Sequence, residues 1–332
     1  MAAGFLYERI TQGRPATMGT LAEPDGAPEP RFALQGTVNW MHALALLAKD
    51  EGVDRARMQV FYRQVQRSSG LTDAATNTVF EQLLMSLHHL SALHAMAKAG
   101  HDQDLARVGV MALYYGIYCA ASAMIAAKDG SQQQDHTSTA TQWDRQIVSV
   151  GLAVSPFAFR LTSLVKKDAA FEITVLRNGN RFSLPARPDN AADARGACIS
   201  YLSGTRDYRE WQICEELKAR ELSKLGLSDF RTKQAQQLRD SRCQGKSLGF
   251  LHQAFRYRGK ANYRDALFLT YEAQVGTVIE GFISDMETVL NAFVTMAGAF
   301  CARRVDPGHW QAFLADLNAH LGLAVMPNDV WA

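Results

Sequence analysis

Proline placement constrains this chain more than any other feature. Of nine prolines in 332 residues, four lie within the first 30, none occurs from Arg31 to Ser155, and none from Asp189 to Asp306. An interior proline removes a helical hydrogen bond and clashes with the preceding turn, so such long proline-free stretches suit helices. The proline-rich start, including Glu23-Pro-Asp-Gly-Ala-Pro-Glu-Pro30, reads as an extended arm over residues 1–36.

Apolar spacing agrees with helices. Trp40, Leu44 and Leu47 share one face, and Met58, Phe61 and Val65 continue over Val53–Gln66. Thr72-Asp73 is an N-cap for a long segment with Val79, Leu83, Leu84, Leu87, Leu90, Leu93 and Met96 inward, and Gly100 is its stop. Asp104–Ala127 is apolar almost all round, as a helix in the middle of a bundle should be. A fifth helix starts near Asp135 or Thr137 and carries Trp143, Ile147 and Val150.

One segment departs from this pattern. Phe171–Leu176 and Arg181–Leu184 flank Asn178-Gly179, which predicts a small β-hairpin, followed by a linker over Pro185–Asp189. Helices resume at Ala191–Leu202, Tyr208–Lys224, Asp229–Arg242, Asn262–Tyr271, Thr277–Arg303 and Trp310–Leu321. The expected fold is therefore mainly α, a multi-helix bundle with one small β-hairpin insertion. Its parts are the arm over 1–36, a helical bundle over 37–168, the hairpin and linker over 169–190, and a second helical part over 191–332.

The five cysteines, Cys119, Cys198, Cys214, Cys243 and Cys301, are scattered with no Cys-x-x-Cys unit. With no basic-then-apolar leader in Met1–Pro30, this predicts reduced thiols and a cytoplasmic location. No apolar run reaches the roughly 18 to 20 residues a membrane span requires, so no membrane partner is expected.

Chemical motifs are few. Gly245-Lys246-Ser247 has the ending of a phosphate-binding loop, but Asp240 stands where that loop needs its first glycine. Gly245-Lys-Ser-Leu-Gly249 has the spacing of an esterase elbow without a strand–turn–helix context. His88, His89 and His94 are separated by 1, 5 and 6 residues, not the three or four that place two ligands on one helix face. No metal site, no cofactor and no small-molecule enzyme constellation is expected.

Charge is more informative. The net charge of +2 hides a basic region, Thr205–Arg264, with 14 Lys+Arg against 7 Asp+Glu, which leaves the rest at 21 against 26. Its end, Phe255-Arg-Tyr-Arg-Gly-Lys-Ala-Asn-Tyr-Arg264, interleaves cations with rings. Cations neutralise phosphates and exposed rings stack on unpaired bases, so Arg256, Tyr257, Arg258, Lys260, Tyr263 and Arg264 are the expected nucleic-acid contacts. The competing expectation is a bundle surface whose cations pair with acidic neighbours and whose rings are buried.

Ala112-Leu-Tyr-Tyr-Gly-Ile-Tyr-Cys-Ala-Ala-Ser-Ala-Met124, a polar loop, then Asp135-His136-Thr137 resembles the centre of HEPN-type helical domains over about 60 residues, 105–165. The resemblance implies a helical bundle, often dimeric, from prokaryotic RNA-targeting, toxin or anti-phage defence systems. It also implies metal-independent ribonuclease chemistry by an arginine followed after four to six residues by a histidine. The nearest match here is Arg304-Val-Asp-Pro-Gly-His309. In that chemistry the histidine handles a proton while the arginine stabilises the crowded phosphate. Val305 stands where a polar residue is usual, and Pro307-Gly308 reads as a helix end and turn. The expected partners are RNA, and a protein partner or a second copy. The alternative reading is a non-catalytic helical adaptor or scaffold subunit.

Overall fold

The computed structural model describes residues 30–67, 70–133, 135–259 and 279–331, with side chains from Gly36 onward. The described part is helical. Helix α1, Pro30–Asp50, begins inside the span expected to be an arm. The short α2, Arg55–Phe61, follows, and then the hairpin of long helices α3, Asp73–Ala99, and α4, Asp102–Asp129. After α5, His136–Trp143, come α6, Lys166–Arg177, and α7, Ala191–Leu217. The chain ends with α8, Lys233–Cys243; α9, Phe250–Gly259; α10, Phe282–Arg304; α11, Pro307–His320; and the single turn α12, Pro327–Val330.

Local signals place the ends of these helices. Thr72 Oγ1 accepts from the Ala75 N–H at 3.2 Å to open α3, and Gly100 closes it in the left-handed region at φ 71°. Helix α4 lies against both α3 and α10 and is buried along most of its length. Glycines make that approach close. A Cβ at Gly109 would sit 2.7 Å from the Ile283 side chain, and one at Gly116 would sit 2.7 Å from Leu290. By length and composition α4 could cross a membrane, contrary to the expectation from apolar runs, but 72% of its most apolar window is buried inside the bundle.

The predicted β-hairpin is absent from the described residues; Phe171–Leu176 belongs to α6. Its alternating residues are also helically spaced, with Ala169 buried and Ile173 and Leu176 packed on the core at i, i+4 and i+7. Asn178 and Gly179 do adopt positive φ, 46° and 81°, but they end a helix instead of reversing a strand. The Asn178 N–H donates back to the carbonyls of Thr174 and Val175. The strand-like pairing among the described residues is an isolated bridge between Leu161 and Leu248.

Helix α7 is continuous where two helices were expected. It runs on through Lys218–Leu222 and a tight turn, Ser223–Leu225, before Gly226 stops it at φ 67°. It packs on α1, and one hydrophobic cluster extends from Val38 to Trp331, joining the two helical parts in a single core. The helix expected over Asn262–Tyr271 lies outside the described residues.

Candidate nucleic-acid interface

Helix α4 carries Tyr114, Tyr115 and Tyr118 at i, i+1 and i+4, which puts Tyr114 and Tyr118 on the same side of the helix. The start of α5 is fixed by Asp135, whose Oδ1 accepts from the N–H groups of Thr137 at 2.9 Å and Ser138 at 2.8 Å. His136 is thereby the first helical residue and lies edge-on to Tyr114, Tyr115 and Tyr118 at 5.3, 5.9 and 4.7 Å between ring centres. Helix α9 supplies Phe255, stacked on His136 at 5.6 Å. From helix α3, His89 stacks on the outer ring, Tyr115, at 6.0 Å.

Arg258, one turn beyond Phe255, completes the cluster. Its guanidinium lies over the rings of Tyr114 at 5.0 Å, Phe255 at 5.3 Å and Tyr115 at 5.8 Å, and donates to the Tyr115 hydroxyl at 3.1 Å. These are cation–π contacts, in which the ring faces attract the positive charge without neutralising it. No carboxylate pairs with Arg258 among the described residues.

The environment tunes the titratable members. Burial lowers the pKa of His136, the neighbouring Arg258 charge lowers it further, and Asp135 works in the opposite direction. The ring is therefore held neutral near pH 7. Burial also raises the Tyr114 hydroxyl well above its ordinary value, an effect Arg258 partly offsets. His89 is lowered, first by burial and then by His88.

The expected contact residues divide. Arg256 lies over Tyr208 at 4.8 Å and Tyr201 at 5.7 Å and donates to Thr205 Oγ1 at 3.0 Å, again without a carboxylate. Tyr257 is a core residue, 1% exposed and 5.0 Å from Trp40, so it cannot stack on a base. Lys260, Tyr263 and Arg264 lie outside the described residues. Elsewhere in the basic region the bland expectation holds for several cations. Arg206 is buried against Glu210 at 2.6 Å and Asp207 at 2.9 Å, Arg239 pairs with Asp240 at 2.8 Å, and Lys218 pairs with Glu215 at 2.8 Å. Arg220, Lys224, Lys233 and Lys246 are exposed and carry no ion pair among the described residues.

Arg304 and His309 have separate surroundings. Arg304 donates to the carbonyls of Ala127 at 2.9 Å and Lys128 at 3.0 Å, at the C-terminal end of α4, and to Gln66 at 2.6 Å. It caps a helix whose last carbonyls would otherwise lack partners. His309 is exposed in the first turn of α11, where its N–H donates to Asp306 at 3.1 Å. Its groove is lined by Asp73, Asn77, Phe80, Phe313 and Asp316, and no hydrogen bond joins it to Arg304 among the described residues.

Among the described residues no group of three His, Cys, Asp or Glu side chains could hold a metal ion. His94 pairs with Glu287 at 2.6 Å instead. The five cysteines are free thiols, and burial pushes Cys119, beside the tyrosines, up to about 11. Neither the three tyrosines nor His136 is among the contacts expected from the sequence. The available signal is two and then one further aromatic on a helix that otherwise carries aliphatic and small residues, followed by Asp-His at the next helix start. Comparison with protein-family models, curated proteins and solved structures finds nothing that matches this chain.

Proposed function

We propose that this chain binds single-stranded RNA, with Tyr115, Tyr118, His136, Phe255 and Arg258, gathered around the buried Tyr114, as the centre of the contact. The observation that carries this reading is that Arg258, in a region rich in cations, is held by rings with no carboxylate paired to it among the described residues. A half-buried guanidinium held over aromatic faces, with no ion pair among the described residues, suits a phosphate with an adjoining unpaired base. Arg256, two residues before Arg258 on α9, adds a second cation, and Lys260, Tyr263 and Arg264 follow directly in the chain. The resemblance to HEPN-type domains supports a role in a prokaryotic RNA-targeting defence system, in the cytoplasm. Cleavage by Arg304 and His309 would require Arg304 to leave three carbonyls, so binding is the activity that the geometry favours.

The test is titration of a fluorescent single-stranded RNA with the purified chain at increasing salt, with and without EDTA. The expected result is saturable binding that weakens steeply with salt. Absent or salt-insensitive binding overturns the reading. A second reading, a helical adaptor, is favoured by the exposed pair Phe171 and Val175, 72% and 61% accessible and one turn apart on α6. A stable protein complex lost in Phe171→Asp, together with failure to bind RNA, would establish it.

A further inference from the structure

Two buried side-chain atoms in the aromatic cluster lack a hydrogen-bond partner: His136 Nδ1 and Arg258 Nε. A buried polar atom without a partner forfeits its hydrogen bonds to water, so an orphan of this kind points to a missing partner. These two belong to groups that share surroundings. Tyr114, Tyr115 and Phe255 each lie within 5.9 Å of both the imidazole and the guanidinium. Arg258 Nε–H can only donate, and a protonated His136 donates from both nitrogens, so what satisfies both is an acceptor, best an anionic one. Both residues are half-buried, so their outer atoms reach solvent.

We propose that a phosphoryl oxygen completes the Arg258–His136 cluster and binds there together with a proton taken up by His136. The proposal rests on the RNA reading for its natural ligand, whereas the chemistry is that of any phosphate. The charged and titratable groups facing His136 are Tyr114, Tyr115 and Tyr118 on α4, Asp135 at its own cap, and Arg258 on α9, while His89 on α3 stacks on Tyr115 and Cys119 neighbours Tyr114 one layer further out. Asp135 is already engaged by two backbone N–H groups, so Arg258 is the cation whose repulsion matters. A phosphate beside Arg258 offsets that repulsion and gives the imidazolium an acceptor. By reciprocity, whatever phosphate adds to proton affinity, the proton adds to phosphate affinity.

The sign follows. The ring is neutral in the free protein near pH 7, and phosphate raises its proton affinity. Binding therefore strengthens as pH falls through the bound-state pKa, by at most about tenfold per pH unit for one linked proton.

The experiment uses the full chain and two readouts. The His136 imidazole signal is followed by NMR from about pH 8 to about pH 5, with inorganic phosphate or with chloride at matched ionic strength. Single-stranded RNA affinity is measured over the same range for the wild type, His136→Gln and Arg258→Gln. The expected result is an upward shift of the His136 titration in phosphate only, and RNA affinity that rises several-fold per pH unit in the wild type but is flat in His136→Gln. Arg258→Gln should lose both the shift and most of the affinity. An unmoved His136 titration, which needs no variant to fold, overturns the proposal. RNA binding whose pH slope persists in folded His136→Gln also overturns it while leaving the RNA reading intact. A phosphate-dependent shift without RNA binding supports the site and sinks the RNA reading.

Discussion

Two arginine–histidine pairs in this molecule invite comparison. Arg304 and His309 are close in sequence, yet the first is bound to three backbone carbonyls and the second stands in an open groove. Arg258 and His136 lie 122 positions apart and share three aromatic neighbours. The first arginine holds structure together, with Nε and both terminal nitrogens each bonded to a backbone carbonyl. The second leaves its Nε–H without an acceptor. What separates the two arginines is whether every guanidinium nitrogen already has an acceptor.

The comparison can be broken most forcefully at Arg304. Arg304→Ala removes three charge-assisted bonds and should cost about 3 kcal/mol of stability, read by denaturant unfolding. RNA affinity per folded molecule should not change; a selective loss of binding with unchanged stability would reverse the assignment.

A third histidine sharpens the contrast, because its partner is already present. His252 accepts from the Gly249 N–H at 3.2 Å, and burial drives its pKa down to about 4. An unfolded histidine titrates near 6.5, so the unfolded chain binds more protons between those values. Stability should therefore fall as pH drops from about 6.5 to about 4, by about 3 kcal/mol in all. Denaturant midpoints measured across that range check this, and in His252→Gln the acid-induced loss should shrink.

Arg258→Ala tests the other side. It should weaken RNA binding about tenfold or more while costing only about 1 kcal/mol of stability, since an exposed-to-half-buried cation–π contact contributes roughly that much. Arg258→Lys should retain part of the affinity, because an ammonium keeps the charge but not the planar donor edge. Finally, His309→Ala should change stability by less than about 0.5 kcal/mol, as expected of an exposed side chain without a buried partner, and should leave RNA binding alone.

Much of the fold was legible because helix ends are short-range chemistry. Thr72, Gly100 and Asp135 act within three residues of their own positions, and each caps where its residue type implies. Helix α6 was not legible because, over six residues, strand alternation and helical spacing select overlapping apolar sets, and Asn178-Gly179 serves a hairpin or a helix end equally well. The site was half legible. The basic, aromatic run containing Arg256 and Arg258 stands out in the sequence, but its meeting with Tyr114 and His136 depends on α9 packing across α4 and α5, a long-range fact. Tyr257 sat in the same run and went to the core, because adjacent helical residues point about 100° apart. Arg304 and His309 misled for the opposite reason: nearness along the chain is not nearness of function when a helix ends between them.

The contact of Gly116 with Leu290 has a further consequence. Gly116 follows Tyr115 directly, so the residue that admits α10 on one side of α4 adjoins the one that presents a ring on the other. A Cβ at 116 would sit 2.7 Å from the Leu290 methyls and 3.1 Å from the His89 Cβ, so Leu290 would have to turn aside and the α3–α4 seam beside Tyr115 would have to give by a few tenths of an ångström. Core packing and the setting of the tyrosines thus meet at a single backbone position. The proposed interface can be tuned from inside the protein, by a residue outside its ring cluster.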